Sequence, residues 1–176
     1  MRRLGSALLL TSLCVIAALA VGSFQPAPLR VVETYEKQCS SCHGQEGAMF
    51  EPGFEKKYAT ADSLREIVES MPGVSQMRGE QVGVLMAYVR AISRGEVFLI
   101  WTDRQSRVLE GEVSPRGASL RAMARGKVLP VTRLSPNRWR IELPPGVKVE
   151  DVRITAQLQG KASTLLLRQG AYTHTR

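Results

Sequence analysis

The chain has 176 residues, of which 44% are hydrophobic and 23% are charged. This composition is close to the globular average and excludes a disordered, collagen-like or multi-span membrane protein. Twenty-four lysines and arginines against sixteen acidic residues give a net charge of +8, which points first to nucleic acid or an anionic surface as partner. Three cysteines and two histidines leave little material for metal chemistry.

Residues 1–22 have the pattern of an export signal. A basic start at Arg2 and Arg3 precedes an uncharged stretch, and Ala18 to Ala20 supplies the small residues of a cleavage site. A run of this length also suffices to span a bilayer, so a retained anchor is the alternative. Residues 23–29 contain two prolines and are predicted to form an extended linker. We expect export to the periplasm, either free or anchored to the outer face of the inner membrane.

Cys39, Cys42 and His43 form the pattern Cys-x-x-Cys-His, which is typical of covalent c-type haem attachment. On one helical turn, two cysteines three residues apart present both sulfurs on the same side, toward the two vinyl groups of a haem. His43 then lies beneath the iron as the proximal ligand. The alternatives are a redox dithiol, which does not require the histidine, and half of a zinc site, which needs a second ligand pair. Cys14 lies in the export segment, and His174 is the fallback iron ligand.

The spacing of apolar residues predicts helices on both sides of this motif. Val32, Tyr35 and Cys39 follow three- and four-residue steps on a first helix. A middle helix is expected near 62–70, ending at the residue before Pro72, and a final helix near 80–93.

Residues of about 30 to 94 resemble the small bacterial class I cytochromes c. The resemblance rests on the haem motif, on Tyr35 four positions before Cys39 and on the Met-Pro pair at Met71. It implies an all-α domain with one covalently bound haem c, in which a loop methionine is the distal iron ligand and a terminal helix packs across the first. One departure is the interval of 28 residues from His43 to Met71, which is shorter than in most of the family.

Met71 is the expected sixth ligand, and Met77 is its fallback. Pro72 restricts the backbone next to Met71 and holds its thioether in place, whereas Met77 lacks that restraint. A methionine more often fills a gap in a core than ligates a metal, so the choice of Met71 rests on its likeness to the Met-Pro loop of the resembling family.

The second half, residues 95–176, changes from helical spacing to alternation of polar and apolar residues. Seven short strands are predicted, which suggests a small β-sandwich. This half carries a net charge of +7, whereas residues 31–94 carry −2. The basic side chains are either the solvated faces of amphipathic strands or a docking face for an acidic partner or anionic lipid. The predicted strands are 97–101, 107–113, 120–124, 127–133, 138–143, 152–158 and 164–168.

The sequence therefore predicts an α+β chain of two modules, an all-α class I cytochrome c domain (30–94) and a small all-β sandwich-like domain (95–176). The expected function is single-electron transfer rather than enzymatic catalysis, as a carrier or as the cytochrome subunit of a larger oxidoreductase complex. The expected partners are redox proteins or a membrane oxidoreductase complex and not nucleic acid, with membrane association through the N-terminus or the basic domain. A haem-based sensor or peroxidase-like protein with a labile sixth ligand is the main alternative, and an adhesion or assembly module is another.

Overall fold

The structure is a computed structural model that describes residues 25–173. The predicted export segment 1–22 and His174 lie outside the described residues. Among the described residues, no helix is long and apolar enough to cross a membrane. The α-helices are α1 (Val31–Gln38), α2 (Ser40–His43), α3 (Phe54–Lys57), α4 (Ala61–Glu69) and α5 (Gly79–Ser93). Short 3₁₀ turns are Gln45–Gly47, Val74–Gln76 and Val149–Asp151.

Eight strands form two antiparallel four-stranded sheets. Sheet A has the order β1-β2-β6-β5, and sheet B has the order β4-β3-β7-β8. The predicted strand 127–133 is divided in two, since Pro130 has no N–H to donate to a ladder. The strands are β1 (Phe98–Gln105), β2 (Val108–Ser114), β3 (Ser119–Ala124), β4 (Lys127–Leu129), β5 (Thr132–Arg133), β6 (Arg138–Glu142), β7 (Val152–Leu158) and β8 (Lys161–Leu166).

The described chain is built in three layers, because sheet A is covered on both faces. Leu99 and Trp101 of β1 point into the apolar cluster between the two sheets. Their neighbours Phe98 and Ile100 point the other way, into a second cluster that contains the apolar residues of the helices. The helices therefore lie on sheet A, and sheet B lies behind it.

The fold-class prediction is wrong in its helical half. No self-contained all-α cytochrome domain is evident among the described residues, where only α1, α4 and α5 exceed one turn. The helices share their core with Phe98 and Ile100 of sheet A. Periodicity located the apolar face of each helix near 62–70 and 80–93, but it does not show what covers that face. The helices pack on one another, and the same cluster continues into sheet A through Phe98 and Ile100. A sheet part does exist in the second half.

Gly111 makes room for the largest side chain in the core between the sheets. It lies in β2, between Trp101 of β1 and Trp139 of β6 in the cross-strand register. Both tryptophans are fully buried. A Cβ atom at Gly111 would overlap the Trp139 indole and the Ile100 carbonyl oxygen.

Gly111→Ala is therefore expected to lower the free energy of unfolding by about 2–3 kcal/mol, because neither the backbone oxygen nor the indole has space to move. Urea unfolding followed by tryptophan fluorescence measures this loss. Gly83→Ala in α5 is the matched control, since an added Cβ there meets nothing within 4 Å. It is expected to raise stability by about 0.5–1 kcal/mol. Equal midpoints for the two variants would contradict the packing described at Gly111.

Candidate haem-binding site

The Cys-x-x-Cys-His segment is helical and follows α1 directly. The Cys39 N–H donates to Tyr35 O at 2.8 Å, and the His43 N–H donates to Cys39 O at 3.0 Å. Cys39 is half-buried, whereas Cys42 is exposed. The turn ends at Gly44, whose φ of 73° lies in the left-handed region that favours glycine. The Met49 N–H then donates to His43 O at 2.9 Å and folds the following loop back on the histidine.

A narrow apolar cleft brings together three of the four residues predicted to bind the haem. Cys39, His43 and Met71 all line this cleft, which is nearly closed, with a cavity volume of only about 10 Å³. Cys42, the other predicted attachment residue, is on the exposed side of the same turn and does not line the cleft. The remaining lining residues are aromatic or aliphatic: Tyr35, Phe50, Val68, Leu85 and Val89.

Met71 and Met77 occupy different positions relative to this cleft. Met71 follows α4 directly, and its N–H donates to Val68 O at 3.1 Å. Its loop passes close to the end of α1, since a Cβ built on Gly73 would lie 3.6 Å from Gln38 Oε1. Met77 packs against the helical core but does not line the cleft.

The ionisation of Cys39 bears on the redox-dithiol alternative. Burial, followed by the neighbouring charge of Cys42, raises the pKa of the Cys39 thiol. Attacking cysteines in redox Cys-x-x-Cys motifs need a lowered pKa, because the thiolate is the nucleophile. The environment of Cys39 therefore disfavours that chemistry. Among residues 25–173, no group of three or more His, Cys, Asp or Glu side chains is placed to hold a metal ion.

Tyr35 places an unpaired polar atom beside the cleft. Its hydroxyl is buried and has no hydrogen-bond partner among the described residues, although the Gly47 amide lies near it. A buried hydroxyl without a partner costs about 1–3 kcal/mol, so a bound group that accepts this hydrogen bond would stabilise the protein. The two thiols, the imidazole and the thioether are the groups that a covalently attached haem would use, and the hydroxyl would be a further hydrogen-bond donor beside it. The cleft is narrower than a porphyrin, so a haem would fit only if the walls formed by His43 and Met71 separated.

Sheet A supports the haem-motif segment through a polar stripe, defined as Glu110, Glu112 and Ser114 of β2 together with Arg116, two residues after the strand. Alternate residues of a strand point to the same face, and this face is turned toward the helices. Glu110 lies 3.9 Å from Arg30, which also pairs with Asp103 of β1. The Tyr88 hydroxyl donates to Ser114 Oγ at 3.3 Å in the buried interface.

Glu112 binds the N-terminus of α1, although it is eighty residues away in sequence. Its carboxylate is fully buried and accepts the N–H groups of Val32 at 2.9 Å and Glu33 at 3.0 Å. The first amides of a helix have no partner within the helix, and Arg30 supplies no side-chain cap. Burial nevertheless raises the pKa of Glu112, because desolvation of the charge outweighs the stabilisation by the two amides.

Arg116 binds both flanks of the haem motif. Its guanidinium donates to Glu36 Oε2 at 2.6 Å, three residues before Cys39. Its backbone N–H donates to Glu46 Oε1 at 2.7 Å, three residues after His43. Sequence reasoning missed the polar stripe because alternating polar residues on a strand usually face solvent. The available signal was the run of four polar side chains at successive alternate positions, continuing past the end of β2.

Compared with known proteins, the chain matches no protein-family model and no curated protein.

Glu112→Gln is expected to change how stability depends on pH. The ordinary glutamate pKa is 4.5, and the pKa of Glu112 in the folded protein is higher. Between these two values the folded protein retains a proton that the unfolded chain has lost, so the stability of the wild type falls as the pH rises. The glutamine does not titrate, so the variant gains stability relative to the wild type across that window.

Urea midpoints at a series of acid to neutral pH values measure this difference. Glu142→Gln, at an exposed site on β6, is the matched control for loss of one carboxylate. Stability curves that stay parallel for wild type and Glu112→Gln would contradict the role assigned to burial.

Arg116→Ala is expected to lower the free energy of unfolding by about 1–2 kcal/mol, because it leaves the half-buried Glu36 carboxylate without its cation. Amide hydrogen exchange near Glu36 is expected to accelerate, whereas residues 44–50 keep the contact of Glu46 with the backbone N–H of residue 116. Arg65→Ala is the control: it removes an exposed pair with Glu69 within one helix, worth about 0.3–0.5 kcal/mol. An equal loss in both variants would show that Arg116 is an ordinary surface residue.

Proposed function

We propose that the chain binds one haem c covalently and transfers single electrons between redox partners. Cys39 and Cys42 would form the thioether bonds, and His43 and Met71 would be the proximal and distal iron ligands. The observation that carries the proposal is the apolar cleft shared by Cys39, His43 and Met71. The sequence motif already pointed to Cys39 and His43. The structure adds that Met71 lines the same cleft as His43.

The haem supplies an iron that exchanges one electron without binding substrate when both axial positions are filled. The chain's own part is to hold both ligands still and to exclude water. His43 is fixed by the turn that begins at Cys39 and by contact with Phe50, whose ring centroid lies 5.4 Å away. The aliphatic side chains of Val68, Leu85 and Val89 keep the lining of the cleft apolar. A thioether ligand in an apolar site favours the reduced iron.

The backbone around Met71 supports a retained sixth ligand. Its N–H donates to Val68 O, and its own carbonyl accepts the Val74 N–H at 3.2 Å. A haem sensor or peroxidase-like protein requires this methionine to leave the iron. Two backbone hydrogen bonds and the fixed φ of Pro72 restrict that movement, which favours electron transfer over the alternative.

Export and a redox partner belong to the same proposal. Covalent attachment retains the cofactor outside the cell, and the pattern of residues 1–22 predicts that destination. The protein would act in the periplasm, free or held at the outer face of the inner membrane, as a carrier or as the cytochrome subunit of an oxidoreductase complex. It would not itself be an enzyme.

Absorption spectra of the haem-matured protein test the ligand assignment. The wild type is expected to give a low-spin c-type spectrum with the weak far-red band of methionine-ligated ferric haem. Met71→Ala is expected to lose that band and to bind carbon monoxide when reduced, because the sixth position opens. Met77→Ala is the matched control and keeps the band.

If the far-red band survives Met71→Ala and disappears in Met77→Ala, the sixth iron ligand is Met77 and not Met71. Absence of any c-type spectrum in the wild type would overturn the haem proposal. Carbon monoxide binding to the reduced wild type would favour the sensor or peroxidase alternative.

A further inference from the structure

The outer edges of the two sheets are not covered alike. Sheet A ends at β1, and other parts of the chain bond to its outer edge: the Trp101 carbonyl accepts the Ala27 N–H at 2.8 Å, and the Trp101 N–H donates to Ala171 O at 2.7 Å. Sheet B ends at β8. Among residues 25–173, no strand or segment pairs with the outer edge of β8 before Leu166, whose carbonyl accepts a turn hydrogen bond.

The register of β8 decides which of its backbone groups face outward. The two-residue turn 159–160 has positive φ at both positions, so Leu158 and Lys161 form the hydrogen-bonded pair next to the turn. Hydrogen-bonded and non-hydrogen-bonded pairs alternate along an antiparallel ladder. The N–H and C=O groups of Ala162 and Thr164 therefore point away from β7, and no described residue forms a hydrogen bond with them.

This open edge is one wall of a groove with a volume of about 800 Å³. Residues 162–166 line one side, and Arg94, Glu96 and Val97, between α5 and β1, line the opposite side. None of the lining residues belongs to the haem cleft. A groove with a wall on each side admits a single extended segment. The sheet edge of a second copy would bring its own packed layer, about 10 Å away, against the wall opposite β8.

The charge of the groove favours an acidic segment. The Lys161 ammonium donates to Gly95 O at 2.8 Å and to Arg94 O at 3.5 Å, both uncharged acceptors, and it pairs with no carboxylate of the described chain. Arg94 also lines the groove, and Glu96 is the one acidic residue among the described lining residues. A lysine on an edge strand often keeps other strands away. Here it bonds to the end of α5, which leaves the edge of β8 accessible.

We propose that the outer edge of β8 binds an extended acidic segment of a partner protein, which adds a fifth strand to sheet B. The outward groups of Ala162 and Thr164 would form the main-chain hydrogen bonds, and Lys161 would attract the acidic side chains. In this mode of binding the main chain supplies affinity and the side chains supply specificity. The inference goes beyond electron transfer and involves no residue of the cleft, so it holds whether or not the chain carries haem.

Selection of random octapeptides displayed on phage against the exported protein tests the proposal. Enriched peptides are expected to contain more Asp and Glu than the library. They are expected to bind the wild type about tenfold more tightly than Thr164→Pro, because proline removes an outward donor and leaves the bonds to β7 in place. Val128→Pro is the matched control, since the Val128 N–H faces outward on the opposite edge of the same sheet. No enrichment, no acidic excess or equal affinity for the two proline variants would overturn the proposal.

Amide hydrogen exchange with a selected peptide gives a second readout. The amides of Ala162 and Thr164 are expected to exchange more slowly when the peptide is bound, whereas those of Ser163 and Leu165, which bond to β7, are expected to stay unchanged. If removal of residues 174–176 exposes amides that were protected in the free protein, the chain itself fills the groove. If the protein is a dimer that Thr164→Pro dissociates, the edge belongs to a second copy. Either result would overturn the proposal.

Discussion

The buried carboxylate of Glu112 is the contact on which the arrangement of the helical layer depends. It joins the middle of sheet A to the first amides of α1, the helix that leads into the haem motif. A buried charge is costly unless its hydrogen bonds are made, so this contact is stable only while helix and sheet stay together. Ser114 and Arg116 on the same stripe bind α5 and the two flanks of the motif. The position of Cys39 and His43 is thus set by residues that follow them by about seventy positions.

This dependence explains how such short helices can form a site. Isolated helices of eight or nine residues are marginal in water, and here their apolar residues share one cluster with α5 and with Phe98 and Ile100 of sheet A. Tyr35 and Tyr88, buried with ring centroids 5.3 Å apart, join α1 to α5 above that sheet. The sheet half therefore has two faces with separate roles. Sheet A carries the helices that form the cleft on one face, and sheet B closes the apolar core on the other.

Local signals located most of the longer elements, although they missed α3 and the division of the strand at Pro130, and they did not show which elements pack together. The cap at Thr60, which accepts the Ser63 N–H, and the stop before Pro72 place α4 within one residue of the predicted range. The helical turn that carries Cys39, Cys42 and His43 was also predicted from the spacing of these three residues alone. Nothing local indicates that Glu112 meets Val32, because a buried carboxylate and an exposed one have the same sequence neighbours on a strand. The all-α domain was predicted from apolar periodicity, which gives the direction of a helix face but not the surface that covers it.

The central claim is that this cleft holds a haem attached to the chain, and mass spectrometry of the exported protein tests it most directly. After proteolysis, the peptide that contains Cys39 and Cys42 is predicted to carry the added mass of one haem, and Cys39→Ser with Cys42→Ser is predicted to lose it. The same peptide recovered from a haem-exporting host with two free thiols or a disulfide, and with no haem mass, would contradict the account.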